Sequence, residues 1–115
     1  MCNSAAHNAR PARESLSKRL GKVARQIKAR DGERCVYCAR TAAESGSALH
    51  LDHLLPRALG GTDTAENLVV ACRRCNCARQ ALRLATWERV AVEHGVVFSA
   101  RAVRRQALRA LPVAA

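Results

Sequence analysis

The sequence predicts a small α+β domain: a ββα unit with helices on both flanks. Three observations predict it. Two Cys-x2-Cys pairs, CVYC at 35–38 and CRRC at 72–75, bracket the middle of the chain. Between them LHLDHL (49–54) alternates in the manner of a strand, and LVVA (68–71) is a second short apolar run. Outside the pairs the apolar residues recur at helical spacing among arginines and lysines.

The elements follow in order. The chain has 115 residues, enough for one small domain. Residues 1–12 show no pattern and are expected to be a disordered arm. Residues 13–34 form a basic helix and turn. Leu16, Leu20, Val23 and Ile27 make its apolar stripe, with Lys18, Arg19, Lys22, Arg25 and Arg30 largely off it. Asp31-Gly32 stops this helix. CVYC is then a tight turn, and the small polar stretch 39–47 a loop. The core unit spans 35–84. Its two strands are joined by the loop PRALGGTDTAEN, and its helix begins near Arg73 or Arg74. Residues 85–115 form basic C-terminal helices. The first is expected to start from a cap at Thr86, to carry Trp87 and Val90, and to end at Gly95. Ser99 caps a last helix that runs up to Pro112.

Charge narrows the class of partner. The net charge is +11 and the pI near 10.7, which favours a polyanion, most often nucleic acid. Residues 1–34 hold nine Lys/Arg against three acids, and residues 76–115 hold seven against two. Residues 35–75 hold four of each. A neutral centre between two basic flanks suggests a site gripped by backbone-binding arms. No apolar run reaches the roughly 20 residues that a membrane span needs. The N-terminus lacks the apolar segment of a secretory signal. A cytoplasmic protein with no membrane partner is therefore expected, and in that compartment cysteines bind metal more often than they pair.

The cysteine spacing points to zinc. A two-residue gap presents two thiolates from one turn, so Cys35, Cys38, Cys72 and Cys75 complete a closed tetrahedral site. A site with no open position is structural. Such a metal contributes about 10–16 kcal/mol to small zinc peptides, and a chain with one Trp, one Tyr and one Phe has little else to build a core from. Cys2 and Cys77 fit the spacing less well and are read as free thiols.

LHLDHLLPRALGG places Asp52 and His53 inside a strand that gains nothing from them. Together, RDGERCVYC, LHLDHLLPRALGGT and ENLVVACRRCN resemble the HNH endonucleases, over residues 29 to about 80. The match holds in order, spacing and residue type. Phosphodiester hydrolysis needs a base for water and a cation for developing charge. His53 suits the base, being partly neutral near pH 7. Asp52 offers a hard oxygen for Mg2+ or Mn2+. The resemblance implies that Asn76 is the second ligand and that Asn67 braces the loop holding His53. It also implies products with 5′-phosphate and 3′-hydroxyl ends. Asn76 stands where the family name expects histidine, as in the family's asparagine variants. Arg57, Arg73, Arg74 and Arg79 lie close enough to the motif to touch phosphates.

The expected function is metal-dependent cutting or nicking of DNA. The alternatives are a non-catalytic zinc-stabilised nucleic-acid-binding module and an RNA-cleaving nuclease of the same family. One geometric point stays open. Neighbouring residues on a regular strand face opposite ways, so Asp52 and His53 meet on one side only if the strand ends or bulges. Otherwise His50 shares a face with Asp52.

Overall fold

The computed structural model describes residues 15–112. The arm at 1–12 lies outside them. Among the described residues the helices and strands run in chain order α1 (Leu16–Leu20), α2 (Lys22–Arg30), α3 (Ala42–Ser45), β1 (His50–His53), β2 (Leu68–Ala71), α4 (Arg73–Arg79), α5 (Leu84–Ala91) and α6 (Ala100–Ala107), with three short 3-10 turns between them. The strands pair antiparallel, with His50 opposite Ala71 and His53 opposite Leu68. The α+β class and the ββα order β1–β2–α4 stand as the sequence predicts. No helix among the described residues is long and apolar enough to cross a membrane.

The flanking helices depart from expectation in four places. The N-terminal helix is broken at Gly21, whose φ of 53° only glycine adopts readily. The break rotates the buried stripe. Ala24, Ile27 and Arg30 face the core, while Val23 is exposed. The loop at 39–47 contains α3, closed by a capping box in which Thr41 and Glu44 bond each other's backbone N–H. The chain breaks at Gln80, ahead of the start expected at Thr86. Thr86 therefore lies inside α5, which starts after Arg83. Ser99 does cap α6 through its hydroxyl, but that helix ends at Ala107, short of Pro112.

Both faces of the small sheet are covered, which is why every residue of β2 is buried. All three aromatic residues cluster on one side. The Tyr37 ring meets Trp87 edge-on at 5.7 Å and Phe98 at 4.7 Å. The other side is organised by Arg30, expected to be solvated but 9% exposed. Its guanidinium donates to the carbonyls of Ala65 (2.9 Å), Leu68 (2.6 Å) and Ala107 (3.0 Å) and pairs with Asp31 at 2.8 Å. Asp31 in turn accepts from the Val70 amide at 2.9 Å, and Gln106 donates to both Arg30 O and Asp31. One cation thus ties α2, β2 and α6 together.

Arg30→Ala would orphan these carbonyls and leave Asp31 as an unpaired buried charge. It is expected to cost roughly 3–5 kcal/mol. A urea melt that returns the wild-type midpoint for this variant would show that the network is not holding the flanks.

Candidate active site

The first knuckle is fixed against the sheet before any metal is considered. Val36 N donates to Val70 O at 2.9 Å, and Ala39, with φ 66°, turns the chain so that Cys35 N reaches Arg40 O at 2.9 Å. The second knuckle opens α4, with Cys72 as its N-cap. The four sulfurs lie within 4.8 Å of one another, and Cys38 and Cys72 are 3.6 Å apart. A zinc tetrahedron with bonds of about 2.3 Å has edges of about 3.8 Å. Backbone amides point at the sulfurs: Tyr37 and Cys38 N–H at Cys35 (3.4 and 3.5 Å), and Cys75 N–H at Cys72 (3.4 Å). Such donors favour thiolate. A bond from the Cys75 thiol draws Cys35 down to about 5, while burial pushes Cys38 up to about 11. Four sulfurs in this space can ionise together only around a cation, and the set fits zinc. Cys77 carries a disulfide rather than the expected free thiol. Cys2 lies outside the described residues.

The strand β1 is regular to its end, so Asp52 and His53 leave it on opposite sides. Asp52 turns inward and is 7% exposed. Its Oδ2 accepts from Tyr37 Oη at 2.6 Å and from Arg79 Nη1 at 2.7 Å. Burial raises the Asp52 carboxyl, against the opposing charge of Arg79, and the pair holds Arg79 protonated. Oδ1 has no partner among the described residues. Arg79 cannot touch a phosphate, contrary to expectation. It is 0% exposed and spends its donors on Asp52, on Tyr37 and on the carbonyls of His53, Leu54 and Leu82. Asn76 lies one turn before Arg79 on the same face of α4. The face that grips Asp52 therefore also carries Asn76, whose carboxamide has no side-chain bond among the described residues.

His53 turns the other way, to the loop. Its Nε2 lies 2.7 Å from Asp63 Oδ1. Asp63 also pairs with Arg19 (2.8 Å) and Arg57 (3.4 Å) through Oδ2. The bond with His53 is the largest influence holding its carboxyl below the usual range. Sequence reasoning missed Asp63, since an aspartate in GGTDT reads as a turn residue. Asn67 holds the two ends of this loop. Its Oδ1 accepts from Leu55 N at 2.8 Å, and its Nδ2 donates to Leu55 O (3.1 Å) and Thr62 O (2.8 Å). Its backbone carbonyl accepts from Leu54 N at 2.8 Å. Gly61 is required by space: a Cβ there would sit 1.7 Å from Leu55 O and 2.9 Å from Asn67 Nδ2.

Of the remaining expected contacts, Arg57, Arg73 and Arg74 are exposed, and Arg74 donates to the carbonyl of His94. His50 sits at the open end of β1 and is exposed. Partial desolvation of its ring by neighbouring groups, followed by the charges of Lys28 and Arg73, lowers its pKa.

Comparison with known proteins gives two matches. Residues 35–81 match the family model of the HNH endonucleases. Over 63 residues, 54% of this chain, the sequence is 40% identical to the CRISPR-associated endonuclease Cas9 of Corynebacterium diphtheriae. The match spans only 6% of that protein's length. No solved structure gives a significant match.

Purified protein is expected to hold about one zinc through Cys35, Cys38, Cys72 and Cys75. Cys38→Ser should lose the metal and melt the knuckles, and a strong chelator should do the same to the wild type. Elemental analysis read beside far-UV circular dichroism checks both. A folded, reduced and metal-free protein would sink the assignment.

Proposed function

With residues 35–81 matching the HNH endonuclease family model, we propose that this protein hydrolyses DNA phosphodiester bonds. His53 activates the attacking water, and Asp52 and Asn76 hold one divalent cation. The observation that carries this reading is the end of β1, where imidazole and carboxylate leave on opposite sides. Displacement at phosphorus runs in line, so water enters opposite the departing oxygen. A base on one side and a cation ligand on the other suit that requirement. Both groups on one face would suit it less.

The donor set fits Mg2+ or Mn2+. Asp52 Oδ1 and the Asn76 carboxamide oxygen are hard donors without partners among the described residues, and such ions complete their shells with water and phosphate oxygens. The bound cation would neutralise charge on the phosphate and on the leaving oxygen. The rest falls to the chain. Arg79 and Tyr37 orient Asp52 by fixing Oδ2. Asn67 holds the loop that follows His53. His53 takes the proton from water, and the products carry 5′-phosphate and 3′-hydroxyl ends. Arg57, Arg73 and Arg74, with the exposed Lys18, Lys22 and Arg25 of the first two helices and Arg101, Arg104 and Arg105 of α6, supply contacts to the DNA backbone.

His53→Ala should slow cleavage of supercoiled plasmid by at least about 10²–10⁴-fold. Zinc content, fold and DNA binding measured without Mg2+ should be preserved. Asn76→Ala should raise the Mg2+ or Mn2+ requirement. Asp52→Ala is a poor test, because it strands the buried Arg79. Wild-type protein that binds plasmid but leaves it intact with either cation would favour a non-catalytic binding module.

Binding should also weaken steeply with salt, as lysines and arginines release counterions from DNA. Changing Lys18, Lys22 and Arg25 together to Gln leaves the buried stripe of α2 alone. The slope of log K against log salt is expected to fall by about 2–3. An unchanged slope would mark that face as merely solvated.

A further inference from the structure

The contact between His53 and Asp63 has no place in the reading above, and it is the closest bond the His53 ring makes. We infer that Asp63 is a positioning residue for His53: its Oδ1 accepts from Nε2–H, fixes that tautomer, and leaves the Nδ1 lone pair free to take the proton from water. This rests on the reading of His53 as the base.

The two oxygens of Asp63 are divided between tasks. Oδ1 lies 2.7 Å from His53 Nε2, and Oδ2 faces the arginines, Arg19 at 2.8 Å and Arg57 at 3.4 Å. Arg19 reaches in from α1, 44 residues away in sequence, so the carboxylate is pinned from outside its own loop. The bond with His53, with the two guanidinium groups behind it, keeps it ionised, and an ionised carboxylate is an acceptor only. The nitrogen facing it must therefore carry the hydrogen. In a neutral imidazole the other nitrogen is then the acceptor. Nδ1 has no partner among the described residues.

The loop is built to deliver Asp63 to this spot. Gly61 N donates to Pro56 O at 3.0 Å, and Asn67 holds Thr62 O at 2.8 Å. Thr64 O accepts from Asn67 N at 2.9 Å, and the Thr62 and Thr64 hydroxyls bond across Asp63 at 2.9 Å. Both neighbours of Asp63 are thus tied down, which holds its backbone where the side chain meets His53. A loop ion pair with Arg19 and Arg57 alone would need none of this to face His53.

The test uses the zinc-loaded full chain labelled with 15N at histidine. Long-range 1H–15N spectra are recorded in alkaline buffer, where imidazole is neutral. A His53→Gln sample assigns the His53 signals. Wild type is expected to show His53 in the Nε2–H form. Asp63→Ala should mix the two tautomers and lower kcat by roughly 10–100-fold, the usual scale for such supporting contacts, with KM for plasmid nearly unchanged. Asp63→Asn keeps a carbonyl acceptor and should retain the tautomer, with a smaller loss of kcat. It also serves if the alanine variant folds poorly. Arg19→Gln, which touches only the other oxygen, should leave the tautomer as in wild type. A His53 ring in the Nδ1–H form, or an Nε2–H form that survives Asp63→Ala, overturns the proposal. So does a shifted tautomer at the wild-type rate. A protein with the expected tautomers that cuts no DNA under any cation would fail as a nuclease while the pairing stands.

Discussion

The buried pair of Arg79 and Asp52 is the constraint on which the centre of this molecule depends. Tyr37 lies between the cysteines of the first knuckle, Asp52 on β1, and Arg79 on the helix that the second knuckle opens. One guanidinium therefore joins all three parts of the ββα unit. Its bonds to the carbonyls of His53 and Leu54 also fix the backbone on which the His53 side chain stands. A buried pair of this kind adds little net stability over apolar packing, whereas losing one partner costs several kcal/mol. Its value here is registry. The ion pair sets how far α4 sits along β1, and so where Asn76 stands relative to Asp52.

Two buried arginines replace what a larger apolar core would do. With three aromatic residues in one cluster, the chain spends Arg79 inside the ββα unit and Arg30 at its junction with the flanking helices. Arg30 collects carbonyls from the loop before β2, from β2 itself and from the end of α6. A lysine would reach one or two of these with a single ammonium. The planar guanidinium reaches three while still pairing with Asp31. The flanks are thus joined to the core by directional bonds, which fix orientation more tightly than apolar contact alone. Their basic outer faces are held at set angles to the end of β1.

What was legible in the sequence was what rests on spacing. The paired cysteines, the alternation of 49–54 and the apolar run at 68–71 gave two strands and a metal knuckle, because each is a local pattern with one geometric solution. Asp52 and His53 could be singled out because a strand has no use for them. Burial of Arg30 and Arg79 was not legible. Nothing in RQIKARD or NCARQ marks an arginine that bonds carbonyls 35 or more residues distant, or a carboxylate 27 residues away. The break at Gly21 was missed because the apolar stripe continues across it in number, though not in angle. Thr41-x-x-Glu44 was a readable capping box, hidden by the small residues around it. Asp63 was unreadable for the same reason as the arginines: its meaning lies in a side chain ten positions earlier and a helix 44 positions earlier.

The same pairings bear on how a polyanion approaches. Residues 35–75 carry four acids, and in a neutral segment these would be expected to repel phosphate. Three are already answered by arginines. Asp52 is matched by Arg79, Asp63 by Arg19 and Arg57, and Glu44 by Arg34 at 3.4 Å with its own helix cap. The first two belong to the end of β1, where a phosphate would have to sit. Asp63 is met by two cations for its one charge, so the loop side of His53 carries a positive balance. On the other side the charge of Asp52 is cancelled by Arg79, so under the proposed reading its Oδ1 could bind a cation without the carboxylate being a net repellent. Each of these carboxylates is thus one half of an ion pair, so a polyanion approaching the end of β1 meets no unanswered negative charge from them.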